Sequence, residues 1–419
     1  MDLSGRLRRL YKLGLVAGSR GGAALAELAF TILVARQLDL MEAGHFFVAL
    51  TVVLLAAQAS RAGIDFAVTR ILAQHLARSE PHRCAPDAAL ALVAATIVSS
   101  LVCALLYLAV VSGLGQALLG GAGDVLLLLL WASVPVAITY VTAEALKGLD
   151  RQILSQVATG TVTYLVAAVL VWIAQPADAV ALAGLFGMAS LGGMLVGLVL
   201  LALALRPLGR PHWGEVALEQ LWSLLRQGLV LSPYRPLTLA ANWMPILLLN
   251  TLSGAAAAGV YAVANRLAVA ISLIGIAVEA IYAPRFARAA VTPGPAMPLA
   301  REACLFAGAA TLPFGAALAL LSGWLLGILN PDYAAQAGLV LVLLCLAYSV
   351  NAFLAPLGTF GAMMGRARLL NLTALAALAI AAVGGYALIP VWGAEGCALV
   401  LLVVFAVRGA MLYRFQRGS

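Results

Sequence analysis

Twelve apolar stretches follow one another along this chain, at 13–35, 45–69, 88–113, 123–146, 153–174, 178–205, 228–250, 256–283, 301–327, 335–361, 369–389 and 393–413. A helix needs about 20 mostly apolar residues to cross the hydrocarbon of a bilayer. A soluble fold has no interior large enough for so many: 64% of the 419 residues are hydrophobic and only 10% charged, against roughly 25% charged in soluble domains. Backbone polar groups in hydrocarbon must bond within their own segment, which favours helices. The chain therefore reads as an all-α polytopic membrane protein with twelve transmembrane helices. The net charge of +8 comes with no basic face or nucleic-acid motif, so no nucleic-acid partner is expected.

The polar residues between spans set the orientation. On one side fall the N-terminus, Arg70, Arg78, Arg83, Lys147, Arg151, Arg206, Arg210, Arg285, Arg301, Arg366 and Arg414. The other side holds Arg36 and otherwise acids: Asp39, Glu42, Asp124, Asp178, Asp332 and Glu395. The positive-inside rule then places both termini in the cytoplasm, with Trp172, Trp324 and Trp392 at the outer interface. The basic start (Arg6, Arg8, Arg9, Lys12) leads into a span with no small-residue cleavage site, so no cleavable signal peptide is expected. Cys103, Cys304, Cys345 and Cys397 lie in apolar runs and read as small buried hydrophobes. His45 and the loop histidines show no metal-ligand or catalytic spacing, so no metal, cofactor or catalytic residue is expected.

The chain also repeats itself. EAGHFFVA from Glu42 and AAGVYAVA from Ala257 share an Ala-Gly, an aromatic residue and a Val-Ala, with Gly44 and Gly259 215 positions apart. At the same ungapped offset Arg20 falls on Arg235, Arg70 on Arg285 and Arg151 on Arg366. Each half holds six spans, an even number that restores the starting side, so the repeats are parallel and related by an axis along the membrane normal. The expected organisation is a six-helix bundle over 1–205, a cytoplasmic amphipathic linker over 206–227 and a second six-helix bundle over 228–419. In the linker, Leu218, Leu221, Trp222 and Leu225 share one helical face opposite Glu215, Glu219, Ser223 and Arg226, the pattern of an interfacial helix.

Ionisable residues inside spans are costly and mark pathways by default. Arg20, Arg61, Arg235 and Arg266 lie in spans one, two, seven and eight. Glu27 and Asp65 are the acids at comparable depth, with Glu144 and Glu279 nearer the inner ends. Arg61 and Asp65 are four apart and can pair on one helix, whether as a structural bridge or beside a ligand. Arg20 and Arg235 have no acid close in sequence; snorkelling to the headgroups is their plain alternative. Glu27 reads either as a partner of one of these arginines or as a proton-coupling group, and the sequence leaves both open. Trp243 with Asn242 sits inside span seven, away from an aromatic belt, and reads as a sugar-stacking pair or as core packing. Gly14, Gly18, Gly21 and Gly22 around Arg20, and Pro233, Pro236 and Pro245 around Arg235, are expected to break their spans.

Three segments, ILVARQLDLMEAGHFFVA, GIDFAVTRILAQ and EALKGLDRQ, resemble the multidrug/oligosaccharidyl-lipid/polysaccharide (MOP) exporter superfamily. Within it the chain looks most like the Wzx-type flippases of O-antigen and exopolysaccharide repeat units. The resemblance implies a MATE-like fold in the bacterial inner membrane. It implies alternating access and, as partner, an oligosaccharide carried on undecaprenyl pyrophosphate, with polymerase and glycosyltransferases acting beside a monomeric flippase in membrane lipid. A cationic lumen lined by spans one, two, seven and eight is expected, and the four embedded arginines fall on those spans. The runner-up is a MATE-like drug/cation antiporter, for which a net acidic lumen would be expected. A membrane polymerase or ligase would call for a large outer loop with catalytic bases, and the outer loops here are short.

Overall fold

The computed structural model describes residues 22–23, 25–61, 63–113, 119–209, 234–289, 297–329 and 331–417. All regular structure among them is helical. Seven helices come before the gap at 210–233: α1 (25–37), α2 (Leu40–Ser60), α3 (Ile64–Ala77), α4 (Cys84–Val111), α5 (Ala122–Gly148), α6 (Gln152–Ala174) and α7 (Ala179–Leu205). Seven follow it: α8 (Tyr234–Ser253), α9 (Ala255–Ala268), α10 (Ile271–Ala289), α11 (Met297–Leu320), α12 (Ser322–Leu329), α13 (Pro331–Met363) and α14 (Ala367–Arg417). Among the described residues, eight helices are long and apolar enough to cross a membrane, or nine if the bent pair α9–α10 is one span. Each of the twelve apolar stretches coincides with helix over most of its described residues, the first from residue 22 and the seventh from residue 234 onward. Of the expected linker, Arg206–Leu208 form a 3-10 turn, and 210–227 lie outside the described residues.

Local chemistry sets the helix limits. Asp39 accepts from the Glu42 amide at 2.8 Å, and Asp178 accepts from the Ala181 amide at 2.7 Å. Both are side-chain caps that satisfy a first-turn donor. The second span, expected to be unbroken over 45–69, is interrupted between Ser60 and Ile64, where Gly63 takes φ 79°. That left-handed conformation favours glycine, so the break is written into GID. Span seven corrects the opposite expectation. Pro245 lies inside α8, which runs on through it, as membrane helices permit when neighbours re-satisfy the freed carbonyl. α14 holds two spans, parted at Gly393 (φ 53°, ψ −127°) just after Pro390.

The helices form two compact units, Met1–Gln37 with Ala49–Ser232, and Leu38–Val48 with Pro233–Ser419. In the first, α3, α4, α5 and α7 close over a core of Ile64, Ala67, Leu72, Ala88, Ala145 and Leu146. In the second, α10, α11, α13 and α14 close over Tyr282, Phe286, Ala303, Leu357, Phe360 and Leu412. The two cores share three repeat positions. Ala67, Ala88 and Ala145 lie 215 residues before Tyr282, Ala303 and Phe360. Helix limits follow the same offset: α2 and α9 begin at Leu40 and Ala255, α5 and α13 end at Gly148 and Met363, and α6 and α14 begin at Gln152 and Ala367.

In the second unit the repeated Ala-Gly is a crossing point. A Cβ on Gly44 would overlap the backbone carbonyl of Ala255, and one on Gly259 would overlap the carbonyl of Leu40. Each glycine thus meets the carbonyl four residues before the other, so α2 and α9 cross by a local two-fold. Only a residue without Cβ lets backbones come this close.

Candidate functional site

In the first unit the break after Ser60 places Arg61 among helices rather than along one. Its side chain is buried, with Nη1 3.4 Å from Asp65 Oδ2 and the guanidinium carbon 4.4 Å from the centroid of the Tyr140 ring. Asp65 is in the first turn of α3, so the pair spans the helix break. A buried carboxylate and an aromatic face together offset part of the desolvation of the guanidinium. Near Tyr140, α6 carries a π-turn at Val157–Thr161 with Gly160 at φ 86°. A small cavity there is lined by Tyr140, Tyr164, Phe186, Thr139 and Thr163. Glu27, on α1, is half-buried, and its carbonyl accepts from Thr31 at 2.9 Å.

In the second unit Arg266, in the last turn of α9, lies with its guanidinium carbon 4.9 Å from the Phe47 ring centroid. The neighbouring Asn265 accepts from the Tyr348 hydroxyl at 2.9 Å. Asn242 and Trp243 are half-buried on α8, and the buried Asn242 Oδ1 has no hydrogen-bond partner. Arg235 is helical in α8, but its side chain lies outside the described residues, as does all of Arg20 with Gly14, Gly18 and Gly21.

A threonine–glutamate bond ties equivalent helices in both units. Thr69 Oγ1 on α3 donates to Glu144 on α5, at 2.9 Å to its carbonyl and 3.3 Å to Oε2, and Lys147 pairs with the same carboxylate. Thr359 Oγ1 on α13 donates to Glu279 Oε2 on α10 at 2.6 Å. Glu144 and Thr359 are equivalent in the repeat, so the tie between these helices is kept with donor and acceptor exchanged. One acid position is also shared, with a different partner in each unit. Asp87 accepts from His75 at 2.6 Å, and its repeat mate Glu302 lies 3.7 Å from Arg285.

One embedded cation escaped the sequence reading. Arg408 sits inside the last span, in VVFAVRGAML, on α14. Its Nη2 donates to Asn351 Oδ1 at 3.0 Å. The clue was present, an arginine with apolar neighbours on both sides, but its nearness to the basic C-terminus hid it among topology charges.

Residues 12–290 match the family model described as "Polysaccharide biosynthesis protein". Among solved structures, an inward-facing multidrug resistance MATE family transporter of the MOP superfamily is 15% identical, with TM-score 0.69 over 94% of each chain. The lipid II flippase MurJ in an inward closed conformation is 10% identical, with TM-score 0.72 over 97% of this chain and 87% of that one. An outward-facing MATE transporter of the same superfamily is 13% identical, with TM-score 0.63 over 97% of both chains. No curated protein matches. At these identities the structures speak for the fold, while the family model covers more than half of the sequence. The chain belongs to the polysaccharide biosynthesis protein family, and its two helical units have the fold of MOP-superfamily transporters and flippases.

Proposed function

We propose that this protein is a flippase of the bacterial inner membrane. It would carry an oligosaccharide on undecaprenyl pyrophosphate from the inner to the outer leaflet by alternating access. The observation that carries the reading is the surplus of embedded arginine in a chain of this family: Arg20, Arg61, Arg235 and Arg266, against Glu27 and Asp65. Guanidinium offers a fixed charge and a planar fork for phosphate oxygens, the group that would otherwise cross the hydrocarbon uncompensated. In this reading the arginines bind the pyrophosphate, Asn242 and Trp243 meet sugar, and Glu27 and Asp65 balance or couple charge. The polyprenyl tail stays in lipid, and no bond is made or broken. Glycosyltransferases would supply the substrate and a polymerase consume it.

Arg20 and Arg235, symmetry mates in the repeat, give the test. Each is replaced by alanine and by lysine in a strain lacking its own flippase, and surface polymer is measured per unit of membrane-inserted protein. Alanine at either site is expected to abolish export, and lysine to restore it only in part, because an ammonium lacks the fork. Full export from either alanine variant, or from the lysine pair, overturns the phosphate role; lysine snorkels as well as arginine does. Export of cationic drugs in place of polymer would favour the MATE-like antiporter, whose fold this chain shares.

A further inference from the structure

A cavity in the second unit lies among α8, α10, α13 and α14, apart from Arg266 and Trp243. Its volume is about 180 Å³, room for about six waters at roughly 30 Å³ each. The polar wall is Tyr234, Glu279, Asn351, Thr359 and Arg408; Phe405, Leu354 and Leu412 supply the apolar wall. Arg408 gives one nitrogen to Asn351 and lies with its guanidinium carbon 5.8 Å from the Phe405 ring centroid. Its other terminal nitrogen, Nη1, is buried with no hydrogen-bond partner. An arginine N–H left unbonded away from water costs more than the bond it forgoes. Arg408, on the cavity wall, thus has a donor for which the protein supplies no acceptor.

Charge narrows what can fill it. The wall carries one cation, Arg408, and one carboxylate, Glu279, already held by Thr359 at 2.6 Å. A free anion would face Glu279, and a free cation would face Arg408. A neutral group bearing both donors and acceptors satisfies the two at once: hydroxyls accept from the guanidinium and donate to the carboxylate. A pyranose ring adds C–H faces that pack on Phe405 and the two leucines. A second observation extends the site. Tyr234, Thr238 and Asn242 are spaced four apart on one face of α8, and the buried Thr238 Oγ1 and Asn242 Oδ1 are both without partners. That stripe leads from the cavity along the helix with unfilled polar positions.

We propose that this cavity is a subsite for one uncharged sugar ring, gripped between Arg408 and Glu279. It rests on the flippase reading and names which part of the cargo this cavity recognises: sugar rather than phosphate. The test uses the purified full chain in phosphatidylethanolamine/phosphatidylglycerol nanodiscs, with saturation-transfer NMR on methyl glucoside, methyl galactoside and the methyl glycoside of N-acetylglucosamine. At least one should give a saturable signal that neither sodium chloride nor inorganic pyrophosphate displaces. Arg408→Ala and Glu279→Gln should each weaken it by about tenfold or more, the worth of one charge-assisted hydrogen bond. Arg408→Lys keeps the charge and guards against misfolding; it should elute as the native protein does and still bind more weakly. No saturable signal from any of the three sugars, displacement by sodium or pyrophosphate, or unchanged binding in all three variants overturns the proposal. Polymer export in cells is read separately. Export with no sugar binding removes the subsite alone, and sugar binding with no export removes the flippase reading alone.

Discussion

Arg61 shows how one side chain can serve structure or transport, and how to separate the two. It is buried beside Asp65 at 3.4 Å and under the Tyr140 ring. If the pair is only a neutralised bridge, exchanging the residues as Arg61→Asp with Asp65→Arg keeps one charge of each sign and should preserve export better than losing either. If the guanidinium meets substrate, the exchange should be as damaging as Arg61→Ala at matched protein level. We expect the second outcome, read as surface polymer in the complemented strain; near-normal export from the exchanged protein would retire Arg61 from the site. Spacing alone pointed to Asp65, because residues four apart are neighbours wherever the chain turns helically. Tyr140 could not be foreseen: it comes from α5, and no local pattern says which helix packs over a break. Arg408 and Asn351 were equally hidden from each other, 57 positions apart.

Helices carry the repeat more faithfully than side chains do. Four coincidences at an offset of 215 were visible in the sequence, yet the helix limits at Leu40 and Ala255, and at Gly148 and Met363, follow it too. Those limits were illegible because an apolar run blurs its own ends; the two starts are set at Asp39, which caps α2, and at Gly254, with φ 89°, before α9. The break in span two was missed because Arg61 and Asp65, on either side of Gly63, read as a pair four apart on one continuous helix, and glycine inside a span more often serves packing. The α2–α9 crossing supplies the prediction at this scale. Gly44→Ala and Gly259→Ala each set a methyl against a backbone carbonyl that cannot rotate away. Overpacking of this kind typically costs about 1–3 kcal/mol, so each should lower the unfolding midpoint in detergent. The double variant should be less damaging than the sum of the two, because one parting of the helices relieves both clashes. Gly323→Ala, whose Cβ would meet nothing, should leave the midpoint unchanged. Midpoints of Gly44→Ala and Gly259→Ala equal to the parent's would show that the helices do not cross as described.

Across the whole chain, composition made the membrane fold legible and the repeat made its two-part plan legible, while the packing that closes each unit was not. The reason is physical: in a chain so rich in Ala, Leu and Val, hydropathy separates lipid from water but does not separate lipid from a helix neighbour. Trp172 and Trp324 are exposed and Phe30 and Phe186 buried, a distinction no apolar run announces. Orientation, by contrast, is a claim about sequence charge, and it has a direct test. Basic residues gather in the loops at 70–87, 147–151, 206–227, 285–301 and 366–368, and the intervening loops are acidic or neutral apart from Arg36. Translocating a cluster of arginines against the membrane potential is unfavourable, so these loops should stay inside. Paired alkaline phosphatase and fluorescent-protein fusions should therefore report outside at Gly121 and Ser253, and inside at Glu80 and Pro211. Pro211 matters most, although it lies outside the described residues. It sits in the joint between the halves, and parallel repeats require an even number of crossings on either side of it. An outside signal there would mean an odd count in the first half and inverted rather than parallel repeats. Arg20 and Arg235 would then no longer be mates about an axis along the membrane normal. An inside signal at both Glu80 and Pro211, with the other two outside, leaves the parallel arrangement as the one that fits the charges.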